Sequence, residues 1–364
     1  MSEARFIAII YTSALVLVGL IQVFIQAFSK KGYTLGVSVP KGLRETETMK
    51  KILNDYKMMT LTLTIFLSLC QYFLSYITKS VGFLTLFFFI SFGVLFLPLI
   101  IYNKNLKNIT AGIVQDKKRI VVLDNNEGKK ELRKIMLFGY GASLLIILIT
   151  SLILFINYDK IGNELIMKVD FDGTITRMAD KSYKNIFYPS IISFGMLVMF
   201  YFINLIVIKV RPRIAKEDPE LSLKNNLNSK KAWTYYLILN SFLMTLLFEI
   251  GINFLSIKNN SIPLYILTAI IIIVSIGGSI YLGIKVGTDG SKLSSMESYS
   301  FEEDDKYWLL GSMFYNNPED PALFVAKRIG VGYTINIGRP LGKLIMIIIY
   351  VIVIYSLISM FIYN

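Results

Sequence analysis

Glu249 is the one ionisable residue deep inside a long apolar stretch of this 364-residue chain. Ser241, Thr245, Glu249 and Asn253 recur every four residues, so on a helix they form a single polar ridge. Counting 1.5 Å per residue from Trp233 puts the carboxyl group ~24 Å from that end of the stretch. A charge in such a setting costs on the order of 1–3 kcal/mol unless it is paired or protonated. The ridge suits a proton or substrate site, or an inter-helix hydrogen-bond network that fixes packing. No Lys, Arg or His lies deep in another stretch to offer Glu249 a partner. Other chemistry is poorly provided for. There is no histidine, and the single cysteine, Cys70, lies inside an apolar stretch. That removes the commonest general base and any cysteine-cluster metal site. Asp170, Asp172 and Asp180 lack the full ligand set of a calcium loop. Gly330, Gly332 and Gly338 have neither the following Gly-Lys-Ser/Thr nor the spacing of a nucleotide loop. No nucleophile pairs with a base, so the expectation is a non-enzyme without cofactor or metal.

The elements that must position these residues are membrane crossings. Eight apolar stretches cover 6–28, 58–78, 81–102, 136–157, 186–208, 232–257, 262–284 and 341–363. Each is long enough to cross a ~30 Å hydrocarbon core as a helix. The chain is 54% hydrophobic, which is too apolar for a soluble domain of this length. Lys and Arg pile up in every second connecting piece. Counting Lys343 at the start of the eighth stretch, the pieces after the first, third, fifth and seventh stretches hold 30 of the 38. By the positive-inside rule these pieces are cytoplasmic and both termini face outward. The first stretch is longer than a signal-peptide core and is expected to stay as an anchor. The +13 net charge then sits on loops beside anionic lipid, and nucleic acid is not needed to explain it.

Between the crossings, five regions are expected: 1–157 with four helices, 158–185 as an outward β-hairpin, 186–284 with three helices, 285–340 as a cytoplasmic module, and 341–364 as the last helix. The run KGLRETETMKKILNDYK has helical spacing and feeds the second crossing. Residues 120–123 read as a short strand and 124–128 as a turn. Asp172-Gly173 between two runs rich in hydrophobic and β-branched residues is a hairpin signal. Asn317-Pro318 and Asp320-Pro321 mark turns or helix starts. Tyr333, Ile335 and Ile337 alternate with Thr334 and Asn336, as in a half-buried strand. Gln22 and Gln26 form a polar pair on the first crossing. Asn204 and Gln71 read as packing amides. Ser275, Ser279 and Gly283 make a small-residue face for close helix approach.

Two loops carry a resemblance. The segment DFDGTITRMADKS is similar to the outward loop signature of SdpI-type bacterial membrane proteins, a run ending in D-G, a few residues, then K-S. Here Asn163 to Asp172 stand where the usual proline and histidine precede the D-G. The segment WLLGSMFYNNPEDPALFVAKRIGVGYTINIGRP resembles the C-terminal module of an uncharacterised subset of these proteins. Trp308, Asn316, Pro318, Asp320, Pro321, Arg328, Gly330, Gly332, Asn336 and Gly338 carry that likeness, and LGVSVP after the first crossing is similar to a feature of the same subset.

The resemblance implies a multipass protein of the bacterial cytoplasmic membrane with an immunity or signalling role. On this reading Asp170, Asp172, Gly173, Asp180, Lys181 and Ser182 would meet an extracellular peptide. Trp308, Asn316, Pro318, Asp320, Pro321, Arg328 and Asn336 would dock a cytoplasmic regulator protein. Membrane lipid is the remaining expected partner. The rival expectation is a transporter or permease accessory subunit that uses Glu249. The fold class is all-α polytopic, with small β-hairpins in the loops.

Overall fold

Apolar length alone makes helices of most of this chain. The computed structural model describes residues 3–78, 80–111, 126–169, 174–212, 218–258, 260–294 and 305–362. Among them seven helices are long and apolar enough to cross a membrane, and they fall on the first seven stretches. The eighth stretch is also helical, over Pro340–Ile362. The chain divides into two compact units, one of residues 1–121, 213–222 and 287–364 and the other of 122–212 and 223–286.

In the first unit, α1 (Glu3–Val23) packs on α3 (Glu47–Ile77). Their approach is close because Gly19 has no side chain. A Cβ there would lie 2.2 Å from the Thr64 side chain. Thr60 and Thr64 sit buried on α3 and return their hydroxyls to the carbonyls of Tyr56 and Thr60, so these polar groups pack without loss. The short α2 (Lys41–Arg44) precedes α3, whose first turn is capped by the Thr46 hydroxyl accepting from Met49 N.

The third crossing is interrupted along its length. It breaks into α4 (Val81–Val94) and α5 (Leu97–Thr110), joined through Leu95 and Phe96. Pro98 explains the break, since it brings no N–H for the ladder and its ring clashes with the preceding turn. The core of this unit gathers around a β-hairpin of β1 (Tyr33–Thr34) and β2 (Val37–Ser38). Leu35, Val37, Met49, Tyr56, Leu99 and Ile329 meet there. Two more hairpins follow in the module, β5 (Trp308–Leu309) with β6 (Phe314–Tyr315), and β7 (Phe324–Ala326) with β8 (Tyr333–Ile335). The chain then enters α12 (Pro340–Ile362).

The second unit contains α6 (Asn126–Ile156), a hairpin of β3 (Glu164–Val169) with β4 (Ile175–Asp180), α7 (Tyr183–Lys209) and α8 (Pro219–Leu246), which begins within the first unit. After α8 the helix continues as a π-helical turn, Leu247–Ile252, into α9 (Asn253–Lys258). Then α10 (Ile262–Ile272) passes through a second π turn, Ile273–Gly277, into α11 (Gly278–Lys285). Asn204 bridges helices as a packing amide. It accepts from Thr234 Oγ1 at 2.9 Å and donates to Tyr140 OH at 3.2 Å. Ser275 bonds Asn240, and a Cβ on Gly278 would lie 2.7 Å from the Tyr236 ring, so the small-residue face does receive α8. Hairpin β3–β4 is present as expected, and Leu165 and Ile166 are buried against helix ends. Its turn, 170–173, lies outside the described residues, as do the expected strand at 120–123 and the first two residues of the turn at 124–128. From Asn126 onward that turn is instead the start of α6.

Candidate functional site: the module after the seventh crossing

The residue order of the first unit brings three distant pieces to one place: the LGVSVP hairpin, the end of α5 and the module at 305–339. The hairpin turn is Leu35-Gly36, both with positive φ (44° and 81°), the geometry of a tight two-residue β-turn. Gly36 is also required by space, because a Cβ would stand 2.6 Å from Ser312 Cβ. Leu35 tolerates the left-handed backbone and is fully buried in the core. Gln26, just past α1, clamps this hairpin by donating to Tyr33 O at 2.9 Å and accepting from Leu35 N at 2.8 Å. So Gln26 is not one of a pair on a helix face. Gln22 serves a separate bond, its backbone carbonyl accepting from Tyr56 OH at 2.7 Å.

The α5 end supplies two donors. Asn103 Nδ2 donates to Leu35 O at 2.7 Å and to Ser312 Oγ at 3.0 Å. Lys107 Nζ donates to the carbonyls of Asp305 at 2.8 Å and Trp308 at 2.6 Å. Arg328 is 2% exposed, pairs with Asp305 and donates to Gly36 O. Its guanidinium lies over the rings of Tyr33 and Trp308, at 4.8 and 5.1 Å from the centroids.

Asn336 organises the rest. Its Nδ2 donates to the carbonyls of Asn317, Asp320 and Ala322, and its Oδ1 accepts from the amides of Asn317 and Gly338. Asn317 and Asp320 each fold their own turn by accepting from the amide two residues on, so the two X-Pro pairs are turns and start no helix. The strand alternation at 333–337 is real, but its sense is inverted. Thr334 and Asn336 are the buried positions, while Tyr333, Ile335 and Ile337 are half-buried. The polar side chains face inward because the module's core is a hydrogen-bond network.

This corrects the expected docking set. Trp308, Arg328 and Asn336 are almost wholly enclosed, and so they hold the module together and present no surface. Asn316, Pro318 and Pro321 are exposed, and Asp320 is half-exposed beside them. In the outward hairpin, Asp170, Asp172 and Gly173 lie outside the described residues. Asp180 is exposed at the end of β4. Lys181 and Ser182 have structural work. Lys181 Nζ donates to Ile161 O and lies over the Tyr158 ring, and Ser182 caps α7 by accepting from Asn185 N.

The polar ridge of the sixth crossing is buried along its length: Ser241, Thr245, Glu249 and Asn253 are each at most 7% exposed. Thr245 Oγ1 donates to Ser241 O, and Asn253 Nδ2 to Glu249 O. Ser190 Oγ on α7 donates to Glu249 Oε2 at 2.9 Å. Among the described residues, Glu249 Oε1 and Ser241 Oγ are buried without a hydrogen-bond partner, and Ser193 on α7 stands beside the same carboxyl. The sequence pattern found the ridge but not the π turn that carries Glu249, since one extra residue per turn leaves no trace in a four-residue repeat.

Two adjoining cavities line the module where it meets the helices of its own unit. One, of 420 Å³, includes Gln22, Phe96, Lys327, Tyr333 and Thr334 in its wall. The other, of 340 Å³, runs along α12 past Lys343, Ile347 and Tyr350. Phe314 and Met346 line both.

A family of unknown function, DUF5808, matches residues 318–343, from the Asn336-centred turns to the first turn of α12. No curated protein matches the chain. No solved structure matches it.

Proposed function

We propose that the chain is a non-enzymatic sensor or immunity protein of the bacterial cytoplasmic membrane, with eight crossings and both termini outside. An extracellular peptide or another envelope signal would be met at the β3–β4 loop, and a cytoplasmic regulator protein at the exposed turns of 316–321. One observation carries this reading. The module is bonded directly to the end of α5 through Asn103 and Lys107, and to the end of α1 by way of the β1–β2 hairpin, which Gln26 clamps and Arg328 reaches at Gly36 O. A shift of α1 or α5 must therefore be felt in the module, and a ligand that favours one helix arrangement would change what the module presents. A photocrosslinker at position 319 is expected to capture a cytoplasmic protein in intact cells, and replacement of 316–321 by Gly-Ser repeats is expected to abolish capture while insertion persists. Capture that survives the replacement, or none from the unmodified chain, overturns the reading.

A second reading, a transporter or permease accessory subunit, draws on Glu249. Its π turn and its unpartnered oxygen are features often found where helices bind or release a ligand. Glu249→Gln should then abolish transport in proteoliposomes with the fold intact. A sensor should keep signalling with that change.

A further inference from the structure

We propose that the paired cavities between the module and α12 bind one anionic phospholipid, with Lys327 and Lys343 holding its phosphate and the apolar groove along α12 holding an acyl chain. This goes beyond the sensor reading and uses only the placement of α12 in the membrane.

The argument starts with the walls. At 420 and 340 Å³ the cavities fall within the ~300–1,000 Å³ of small-ligand sites. They share Phe314 and Met346, so a single elongated molecule can reach from one to the other. The charged side chains in the two linings are Lys327 and Lys343, and no Asp or Glu is among them. Neither ammonium has a hydrogen-bond or ion-pair partner among the described residues. Burial also holds the Lys327 ammonium below the ordinary lysine range, as expected for a cation without a counter-charge.

The groove is polarised along its length. Lys343 stands in the first turn of α12, and Met346, Ile347 and Tyr350 follow it down one side of the helix. Ile347, Ile348 and Tyr350 are about half exposed, on a surface that the membrane reading places in hydrocarbon. A cationic end and an apolar channel open to lipid suit an anionic amphiphile. A peptide would leave backbone groups unpaired there. Basic pockets at the cytoplasmic ends of membrane helices hold anionic headgroups in the same way. The site is also fixed in place. A Cβ on Gly342 would lie 2.0 Å from Asn336 O, so the start of α12 is pressed against the module. Both lysines lie inside the segment 318–343 that matches DUF5808, which gives that segment a binding task of its own.

The test uses the full chain in mild detergent, mixed with equal amounts of palmitoyl-oleoyl phosphatidylglycerol and phosphatidylcholine and read by native mass spectrometry. Phosphatidylglycerol should be retained at one per chain, at least tenfold over phosphatidylcholine. The double variant Lys327→Gln, Lys343→Gln should lose that preference, and Lys306→Gln, outside both linings, should keep it. Should the double variant fail to fold, Ile347→Trp retains both lysines and fills the groove, and it should also lose the lipid. Equal retention of the two lipids, or a preference untouched by the lysine and tryptophan variants, overturns the proposal. So does displacement by glycerol 1-phosphate or by palmitate at the potency of the whole lipid, because either would show that only one end of the molecule is recognised.

Discussion

One amide side chain, that of Asn336, closes five hydrogen bonds inside the module. An exposed amide twenty residues earlier, Asn316, closes none of these. The pair isolates the value of a buried network. Asn336→Ala should lower stability by about 2–4 kcal/mol, because carbonyls and amides that cannot reach water lose their partners. Asn316→Ala should change it by no more than about 0.5 kcal/mol. Thermal unfolding followed through the fluorescence of Trp308, buried in the same module, would report both. Lys292 makes a second prediction at this scale. Burial holds its ammonium down at about 8, with Asp289 pulling the other way. The unfolded chain keeps that proton up to about 10.4. Between these values the unfolded state binds more protons, so the Lys292 contribution to stability rises with pH from about 8 to about 10.4. Subtracting the profile of Lys292→Gln from that of the parent should leave a positive slope across this window. A flat difference would show that the side chain is not buried in solution. In the sequence Asn336 and Arg328 were visible as functional candidates, yet residue type and spacing cannot tell an inward amide from an outward one.

Among the elements, the hairpin β1–β2 depends most on a single backbone conformation. Gly36 has φ +81° and faces Ser312 at a distance that excludes a side chain. Gly36→Ala should cost at least about 2 kcal/mol through strain and forced separation from the module. Gly42 in α2 is a control within the same loop, since nothing lies within 4 Å of its Cβ position. Gly42→Ala should be neutral or stabilise by up to about 1 kcal/mol. Partial proteolysis of the loop ahead of α3 would separate the two. The crossings were legible because hydropathy runs over twenty residues leave little choice of structure in lipid. The hairpin at 164–180 was legible from its turn dipeptide. The break at Leu95-Phe96 was announced only by Pro98, which a continuous apolar run conceals. Alternation made the strand at Tyr333–Ile335 legible, but it gives the period of a strand and not which side faces the core.

For the molecule as a whole, the proposed orientation rests on the sorting of Lys and Arg. In a Cys70→Ser background, cysteines placed at 174 and 316 should react with an impermeant maleimide from opposite sides of a sealed membrane. Labelling of both from the same side would refute the eight-crossing arrangement. The sequence marked out the segments 158–185 and 285–340, but the partnership of LGVSVP with the module was invisible to it, because those contacts span some 276 residues. That separation matters while the chain is being made. At roughly 5–20 residues per second, the ribosome needs about 14–55 s after Gly36 to deliver Ser312. For all of that time Leu35 and Val37 are without the lid that will cover them. Until the last fifth of the protein is synthesised, the newborn hairpin is an exposed greasy loop beside the translocon. Chaperone engagement at the N-terminal quarter, and degradation of chains truncated before residue 305, follow from how late its cover arrives.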